Sequence, residues 1–197
     1  QYAIAVLLEL CHHIGAHSDC VKRGDWTSNA DWCFWNYPLI ELAGKTYGLL
    51  GCGNIGIHTA AIAKALGMRV IAYDARESDA GHALGVEYVT LDELFARSDV
   101  ISLHCPLTDE TRHMINAAAI EKMKKGVVIV NTSRGGLIDA EALLEGIKAR
   151  KIGAACLDVY EEEADIFFED RSGHILNDEL LSRLISMPNV IVTSHQA

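Results

Sequence analysis

The chain has 197 residues, with 17 basic and 27 acidic side chains and a formal charge of −10. Such a balance excludes a general nucleic-acid surface or an anionic-membrane surface, because both require clustered basic side chains. The hydrophobic share of 50% predicts a soluble globular protein with a sizeable core. Six scattered cysteines without a C-x-x-C pair indicate reduced thiols in a cytoplasmic protein.

Both ends of the sequence lie inside predicted elements. Gln1 opens an apolar-periodic helix, and Ala197 directly follows a predicted strand. Natural chains rarely begin or stop at such points, so we expect a fragment of a longer protein. No segment has the length of a transmembrane helix, and no signal peptide is recognisable.

The opening helix leads into a tryptophan-rich connector that contains Trp26, Trp32 and Trp35. We interpret this connector as a hydrophobic cover or a subunit contact, and we assign residues 1–44 to the helix and connector together. Large exposed aromatic area often marks an interface. The alternative is that the helix and connector pack on their own sheet or on a missing domain.

Strand-like and helix-like segments alternate from Lys45 to the end of the chain, which predicts one domain over residues 45–197. The strand candidates are rich in Val and Ile, as parallel strands buried on both faces are. Six strands joined by helical crossovers predict an α/β fold, a Rossmann-type doubly wound parallel sheet with helices on both faces. The predicted strands are Thr46–Leu50, Arg69–Tyr73, Val100–Leu103, Val127–Asn131, Gly153–Leu157 and Val190–Thr193. The predicted helices are Ile55–Leu66, Leu91–Ala96, Ala117–Met123, Ala140–Arg150 and Asp178–Ile185.

A G-x-G-x-x-G sequence joins the first of these strands to its helix, and each glycine has a physical role. Gly51 permits the tight turn, Gly53 lets the backbone approach a pyrophosphate, and Gly56 lets the helix pack closely on the sheet. The phosphates would lie on free N–H groups at the helix N-terminus. This arrangement predicts dinucleotide binding.

The acidic residue of the dinucleotide pattern is Asp74, at the end of the second strand. A carboxylate there can accept both ribose hydroxyls and repel the additional phosphate of NADP, so NAD is the predicted cofactor. Arg76 keeps the alternative open, because an arginine at this place could accommodate a 2′-phosphate.

Three polar residues follow the later strands, at the edge where this fold binds ligands. Arg134 could hold a substrate carboxylate, although it could equally form a salt bridge on a loop. Glu163 lies in an acidic stretch that would ordinarily be a solvated loop, and His195 is one of nine histidines. Together they fit the oxidation of a secondary alcohol, with histidine as the base, a carboxylate orienting it, and the cofactor accepting hydride. No cluster has metal-ligand spacing.

The chain resembles the NAD-dependent D-2-hydroxyacid dehydrogenases over essentially its whole length. The resemblance depends on the glycine motif with Asp74 and on four further sequences in the expected order. These are His104-Cys105-Pro106-Leu107-Thr108, Asn131-Thr132-Ser133-Arg134-Gly135-Gly136-Leu137-Ile138-Asp139, Leu157-Asp158-Val159-Tyr160-Glu161 and Ser194-His195-Gln196-Ala197.

The resemblance implies roles for individual residues. Arg134 would bind substrate, His195 would be the acid/base, and Glu163 would orient it. The NAD contacts implied in addition to the glycines are Asn54, Ile55, Asp74, Cys105, Pro106, Thr111, Thr132, Ser133, Arg134 and Asp158. A homodimer formed through cofactor domains is also implied.

Within the family, the chain is most similar to the fermentative D-lactate dehydrogenases, because of its long passage between Glu163 and His195 and its Ser194-His195 ending. The family forms its substrate cleft with a second domain that lies outside residues 1–197. We therefore expect NAD binding but poor turnover from this fragment. Other D-2-hydroxyacids, such as glycerate or 2-hydroxyisocaproate, and a non-catalytic NAD-sensing corepressor role are the alternatives.

Overall fold

The computed structural model describes residues 1–161 and 178–197, and its centre is a parallel sheet of seven strands in the order β3-β2-β1-β4-β5-β6-β7. This order confirms the predicted Rossmann-type doubly wound α/β fold. The strands are β1 Thr46–Leu50, β2 Arg69–Tyr73, β3 Glu87–Tyr88, β4 Val100–Leu103, β5 Val127–Asn131, β6 Ile152–Leu157 and β7 Val190–Val192.

The helices lie on both faces of the sheet, as predicted. They are α1 Tyr2–His12, α2 Ile14–Lys22, α3 Asn54–Ala65, α4 Asp79–Ala83, α5 Leu91–Arg97, α6 Ala117–Lys122, α7 Ala140–Lys148 and α8 Glu179–Ser186, with a short 3₁₀ turn at Gly135–Leu137. One buried cluster joins α5, α6, α7 and α8 to the sheet, and a second joins α1 and α3 to its other face. None of the helices in the described ranges has both the length and the apolar character needed to cross a bilayer.

Two elements were missing from the sequence prediction, and one was divided. Strand β3 has two residues and α4 has five, too few for either to show a periodic pattern. The predicted opening helix ends at His13, whose φ of 48° is left-handed, and α2 begins directly after it. His12, His13 and His17 therefore do not share one helix.

Helix α1 packs on the sheet through its apolar face. Ile4, Leu7 and Leu10 are buried in the same cluster as the residues of α3, so α1 belongs to this core although it precedes residue 45. The connector differs, because Trp26, Trp32 and Trp35 are 54%, 87% and 65% exposed. The apolar face of α1 is therefore buried in the core, whereas the tryptophans of the connector are exposed to solvent.

A single row of paired residues marks the carboxyl ends of six strands. Parallel pairing aligns the last residue of each strand with the last residue of its neighbour. The row runs Tyr73, Leu50, Leu103, Asn131, Leu157 and Val192. Residues that follow these positions must lie along one edge of the sheet. The register therefore brings together segments that are more than 140 residues apart in sequence.

Candidate functional site

In the glycine turn between β1 and α3, an added side chain would collide with the backbone at two of the three glycines and would meet open space at the third. Gly51 has a φ of +93°, and a Cβ there would lie 2.7 Å from the backbone nitrogen of Cys105. A Cβ on Gly56 would overlap the carbonyl oxygen of Gly51, so glycine lets the first turn of α3 approach the strand. Gly53 faces open space, because a Cβ there would have no heavy atom within 4 Å. The turn is therefore closely packed at Gly51 and Gly56 and has open space beside Gly53.

Helix α3 begins at Asn54, with Gly53 as its N-cap residue in an extended conformation. The first N–H groups of any helix have no acceptor within the helix, and the positive end of the dipole lies there. Asn54 and Ile55 are both exposed at this end. Exposed N–H groups beside the bare Gly53 form a surface that suits a pyrophosphate.

Asp74, the residue after β2, is bound to the glycine turn. Its Oδ2 accepts a hydrogen bond from the Cys52 N–H at 2.6 Å, and its Oδ1 accepts one from the Arg76 N–H at 3.0 Å. The carboxylate is half-buried, while the Arg76 side chain is exposed. Asp74 therefore fixes the spacing of β1 and β2 at the place where a ribose would lie.

A cleft of about 470 Å³ opens between the glycine turn and the loop after β4. This volume is within the range of about 300–1,000 Å³ that is typical of small-molecule sites. Its lining residues are Leu50, Gly51, Gly53, Tyr73, Asp74, Ala75, His104, Cys105, Pro106, Thr108, Glu110, Thr111 and Met114. Predicted NAD contacts from both walls, Asp74 on one and Cys105, Pro106 and Thr111 on the other, thus line one cavity.

The wall after β4 is held by a threonine and contains an un-ionised thiol. The Thr111 Oγ1 donates to the Pro106 carbonyl at 2.7 Å and accepts from the Thr108 N–H at 2.8 Å. Burial raises the pKa of the Cys105 thiol to about 11. Cys105 is therefore an apolar neutral group of the wall at physiological pH.

His104 enters the sequence prediction only as part of a motif, and the structure places it in the cleft. Its Nε2 is 2.9 Å from the Oγ of Ser102, a buried residue of β4. Burial lowers the pKa of His104 to about 4, so the imidazole is neutral at physiological pH. The sequence signal for the position of His104 was Ser102, a polar residue two positions earlier in an otherwise apolar strand.

The loop after β5 carries Arg134 and contacts the cleft wall through Ser133. The Asn131 side chain, buried at the end of β5, accepts from the Ser133 N–H at 3.0 Å and donates to the Arg134 carbonyl at 2.9 Å. The Ser133 Oγ donates to the Cys105 carbonyl at 2.8 Å, which joins this loop to the cleft wall. The Arg134 guanidinium is exposed and donates to the Ser133 carbonyl. Thr132 lies half-buried between Asn131 and Ser133.

Asp158 fixes the turn that presents His195. It is 2% exposed, its carboxylate accepts from the Thr193 hydroxyl and from the N–H groups of Gln196 and Ala197, and its carbonyl accepts from the His195 N–H at 2.8 Å. His195 has a φ of 55° and an exposed side chain. In this structure the Asp158 carboxylate is thus engaged by protein donors, and its role as an NAD contact stays a prediction.

The structure brings the predicted site residues to one edge of the sheet, with one exception. Glu163 lies outside the described residues. Among residues 1–161 and 178–197, no group of three or more His, Cys, Asp or Glu could hold a metal ion.

The site accommodates the NAD that the sequence predicts, on the basis of its own geometry. Gly53 at the N-terminus of α3 has open space beside it, a carboxylate follows β2, and both line a cleft of suitable volume.

Comparisons with known proteins agree with NAD as the cofactor. Residues 4–197 match the family model described as "D-isomer specific 2-hydroxyacid dehydrogenase, NAD binding domain". The chain is 54% identical over 171 residues to the D-lactate dehydrogenase of Escherichia coli, covering 87% of this chain and 52% of that protein. It is 53% identical over 163 residues to the hydroxypyruvate reductase of Blautia hydrogenotrophica, covering 83% and 51%. The chain therefore spans about half the length of these relatives.

A solved structure, that of the pyruvate reductase of Chlamydomonas reinhardtii, superposes with a TM-score of 0.89. The identity is 40%, and the alignment covers 98% of this chain and 57% of the other. Family, fold and site geometry lead to the same conclusion: the chain belongs to the D-isomer specific 2-hydroxyacid dehydrogenases and is their NAD-binding domain.

Proposed function

We propose that the protein containing this domain interconverts pyruvate and D-lactate with NADH and NAD. The observation that supports the proposal is the row of strand ends, because the Arg134 loop, Asp158 and the His195 turn all follow strands at the edge of the sheet that also holds the coenzyme cleft. Arg134 binds the substrate carboxylate and carbonyl, His195 is the acid/base, and Glu163 orients it.

The residues of this chain account for binding and proton transfer, while bound NADH supplies the hydride for the 2-oxo carbon. The exposed guanidinium of Arg134 offers a planar pair of donors to a carboxylate and stays charged at any working pH. A protonated His195 gives its proton to the carbonyl oxygen during reduction and takes it back during oxidation. The Asp158 anchor orients the His195 backbone for this transfer.

The lactate assignment is finer than the family, because the relatives carry two substrate names at almost equal identity. Side chains that choose substrate size belong in large part to a second domain, whose N- and C-terminal parts lie outside this chain. Residues 1–44 form a linking helix and aromatic connector in this proposal and residues 45–197 the NAD-binding domain, with α1 of the linking segment packed in the core of that domain. Alone, it binds NAD and turns over poorly.

The proposal includes a homodimer formed through these domains and a location in the cytoplasm, and the exposed connector supports the homodimer. Trp32 and Trp35 expose most of their area, and Ile14 and Leu39 are also exposed. Large apolar groups at one surface commonly mark a protein contact. Sedimentation of the complete protein at micromolar concentration is expected to give a dimer.

The test is NADH oxidation by the complete protein with pyruvate and, separately, with hydroxypyruvate, followed by NAD reduction with D- and L-lactate. We expect pyruvate to have the higher kcat/KM and only the D isomer to react. A preference for hydroxypyruvate would replace the substrate and keep the mechanism. Tight NADH binding without turnover of either acid would contradict the enzymatic assignment.

A further inference from the structure

A histidine and a glutamate outside the predicted site contact each other next to it. The Nε2 of His113 lies against the Oε1 of Glu161, across 48 positions of sequence. The side chains are 39% and 25% exposed, so both are partly shielded from water. His113 lies in the segment between β4 and α6, and Glu161 lies four residues beyond β6.

The backbone of His113 is fixed from both sides. Its φ is 51°, a left-handed conformation that few histidines adopt. Its N–H donates to the Gly136 carbonyl at 2.9 Å, and its carbonyl accepts from the Asn116 side chain at 3.0 Å. Unusual backbone angles that the surroundings enforce are concentrated at functional sites. The backbone that carries the imidazole is thus held in a defined place.

The pair joins the two segments that border the Arg134 loop. On one side, a Cβ on Gly136 would lie 3.1 Å from Leu107 and 3.4 Å from Arg112. On the other, a Cβ on Gly135 would overlap the carbonyl of Tyr160. The Arg134 loop therefore lies between the cleft wall and residues 158–161, and the contact between His113 and Glu161 joins these two segments.

We propose that His113 and Glu161 are positioning residues, whose contact sets the distance between the coenzyme cleft wall and residues 158–161 and so fixes the Arg134 loop between them. The inference rests on the proposed function, because Arg134 is the proposed substrate-binding residue. A group that binds the substrate must be held close to its productive position, and misplacement by about 1 Å can cost about 100-fold in rate.

The kinetics of variants distinguish a positioning role of His113 and Glu161 from a purely structural one. If the pair only stabilised the fold, its loss would lower the melting temperature and leave kcat of the folded enzyme unchanged. If it positions the site, kcat falls while the KM for NADH changes little, because the glycine turn and Asp74 are untouched. The two variants should also act as one unit, since each removes the same interaction.

The experiment compares His113→Gln, Glu161→Gln and the double variant in the complete protein. His82→Gln is the matched control, because His82 forms a His–Glu pair with Glu77 on the exposed surface of α4. The readouts are kcat and KM with pyruvate and NADH, together with hydrogen exchange of segments 106–114 and 157–161. If His113→Gln fails to fold, Glu161→Gln carries the test, because it leaves the left-handed backbone unchanged.

We expect each single variant to lose about 10- to 100-fold in kcat with a KM for NADH within about threefold of wild type. The double variant should lose no more kcat than the single variant with the larger loss. The amide hydrogens of both segments should exchange faster than in wild type. Wild-type kcat, or unchanged exchange in either segment, would overturn the proposal. If the wild-type protein itself has no turnover, the proposed function fails, and the exchange of the two segments still decides whether the pair joins them.

Discussion

The two edges of the sheet each hold a cavity and several cations, yet only the carboxyl edge has the features of a site. A cavity of about 540 Å³ lies at the amino edge, against about 470 Å³ at the coenzyme cleft. Size therefore does not distinguish them. The difference lies in the partners of particular cations, because Arg97, Lys124 and Lys64 at the amino edge bond to other segments whereas Arg134 at the carboxyl edge bonds within its own loop.

At the amino edge, Arg97, Lys124 and Lys64 bond to nearby carboxylates or to a carbonyl at a helix end. Both oxygens of Glu87 accept from Arg97 at 2.8 Å, and Lys124 pairs with Asp99 at 3.0 Å. Lys64, in the last turn of α3, donates to the Leu84 carbonyl. Cations at helix C-termini stabilise the dipole, so this basic cluster has a structural explanation. At the carboxyl edge, by contrast, Arg134 is bound only to its own loop within the described residues.

Substitution of Arg134 tests this comparison and has the largest expected effect. Arg134→Gln in the complete protein should lower kcat/KM for pyruvate about 1,000-fold, because a charged bidentate contact to the substrate is lost. Arg134→Lys keeps the charge without the planar fork and should lose about 100-fold. Chemical unfolding should show an unchanged stability for both. A kcat/KM near wild type for Arg134→Gln would remove Arg134 from the site.

The glycine turn offers a matched pair of variants. Gly51→Ala places a Cβ against Cys105 at a positive φ and should lower the free energy of unfolding by about 3 kcal/mol. Gly53→Ala meets open space and should cost less than about 1 kcal/mol, yet weaken NADH binding about tenfold or more by obstructing the pyrophosphate. Denaturation and NADH fluorescence titration measure the two effects. Equal NADH affinity of Gly53→Ala and wild type would place the pyrophosphate elsewhere.

His104 should make the carboxyl edge sensitive to acid. Because its pKa falls from an ordinary 6.5 to about 4 on folding, the unfolded chain binds more protons between these values. The stability due to neutral His104 is complete above pH 6.5 and is lost as the pH falls to about 4, by up to about 3 kcal/mol. His104→Gln should flatten this part of the stability–pH curve. Parallel curves would show that His104 titrates normally.

Arg97→Gln should have the smallest effect. Both partners of the Arg97–Glu87 pair are substantially exposed, and such pairs contribute about 0–1 kcal/mol. We expect a loss of stability below about 1 kcal/mol, and kcat and NADH affinity within twofold of wild type. A large loss of activity would show that the amino edge contributes to function and would end the contrast between the edges.

Most of the fold was predictable because its signals are local. The apolar strands, the glycine turn and the N-cap Asp139, whose side chain accepts from the Ala142 N–H, each depend on a few adjacent residues. Strand β3 was not predictable, because two residues pair there only through the neighbouring β2. The positions of Arg134 and His195 after strand ends were apparent from the sequence. The partners that hold them were not.

Those partners depend on contacts over long sequence separations. Asp158 binds residues 35 to 39 positions away, and His113 reaches Glu161 across 48 positions. No periodicity or spacing encodes such a pairing. His104 was hidden for a different reason, since its lowered pKa depends on burial by several strands and loops together. Sequence patterns therefore found the groups that face a ligand better than the groups that support them.

The thiol in the coenzyme cleft has a consequence for oxidative chemistry. With a pKa of about 11, only about one Cys105 side chain in 10,000 is a thiolate at pH 7. Peroxides and alkylating electrophiles attack the thiolate, so this position should resist both, although it lines the cavity. Oxidants that act through a thiolate should therefore modify Cys105 more slowly than an ordinary exposed cysteine.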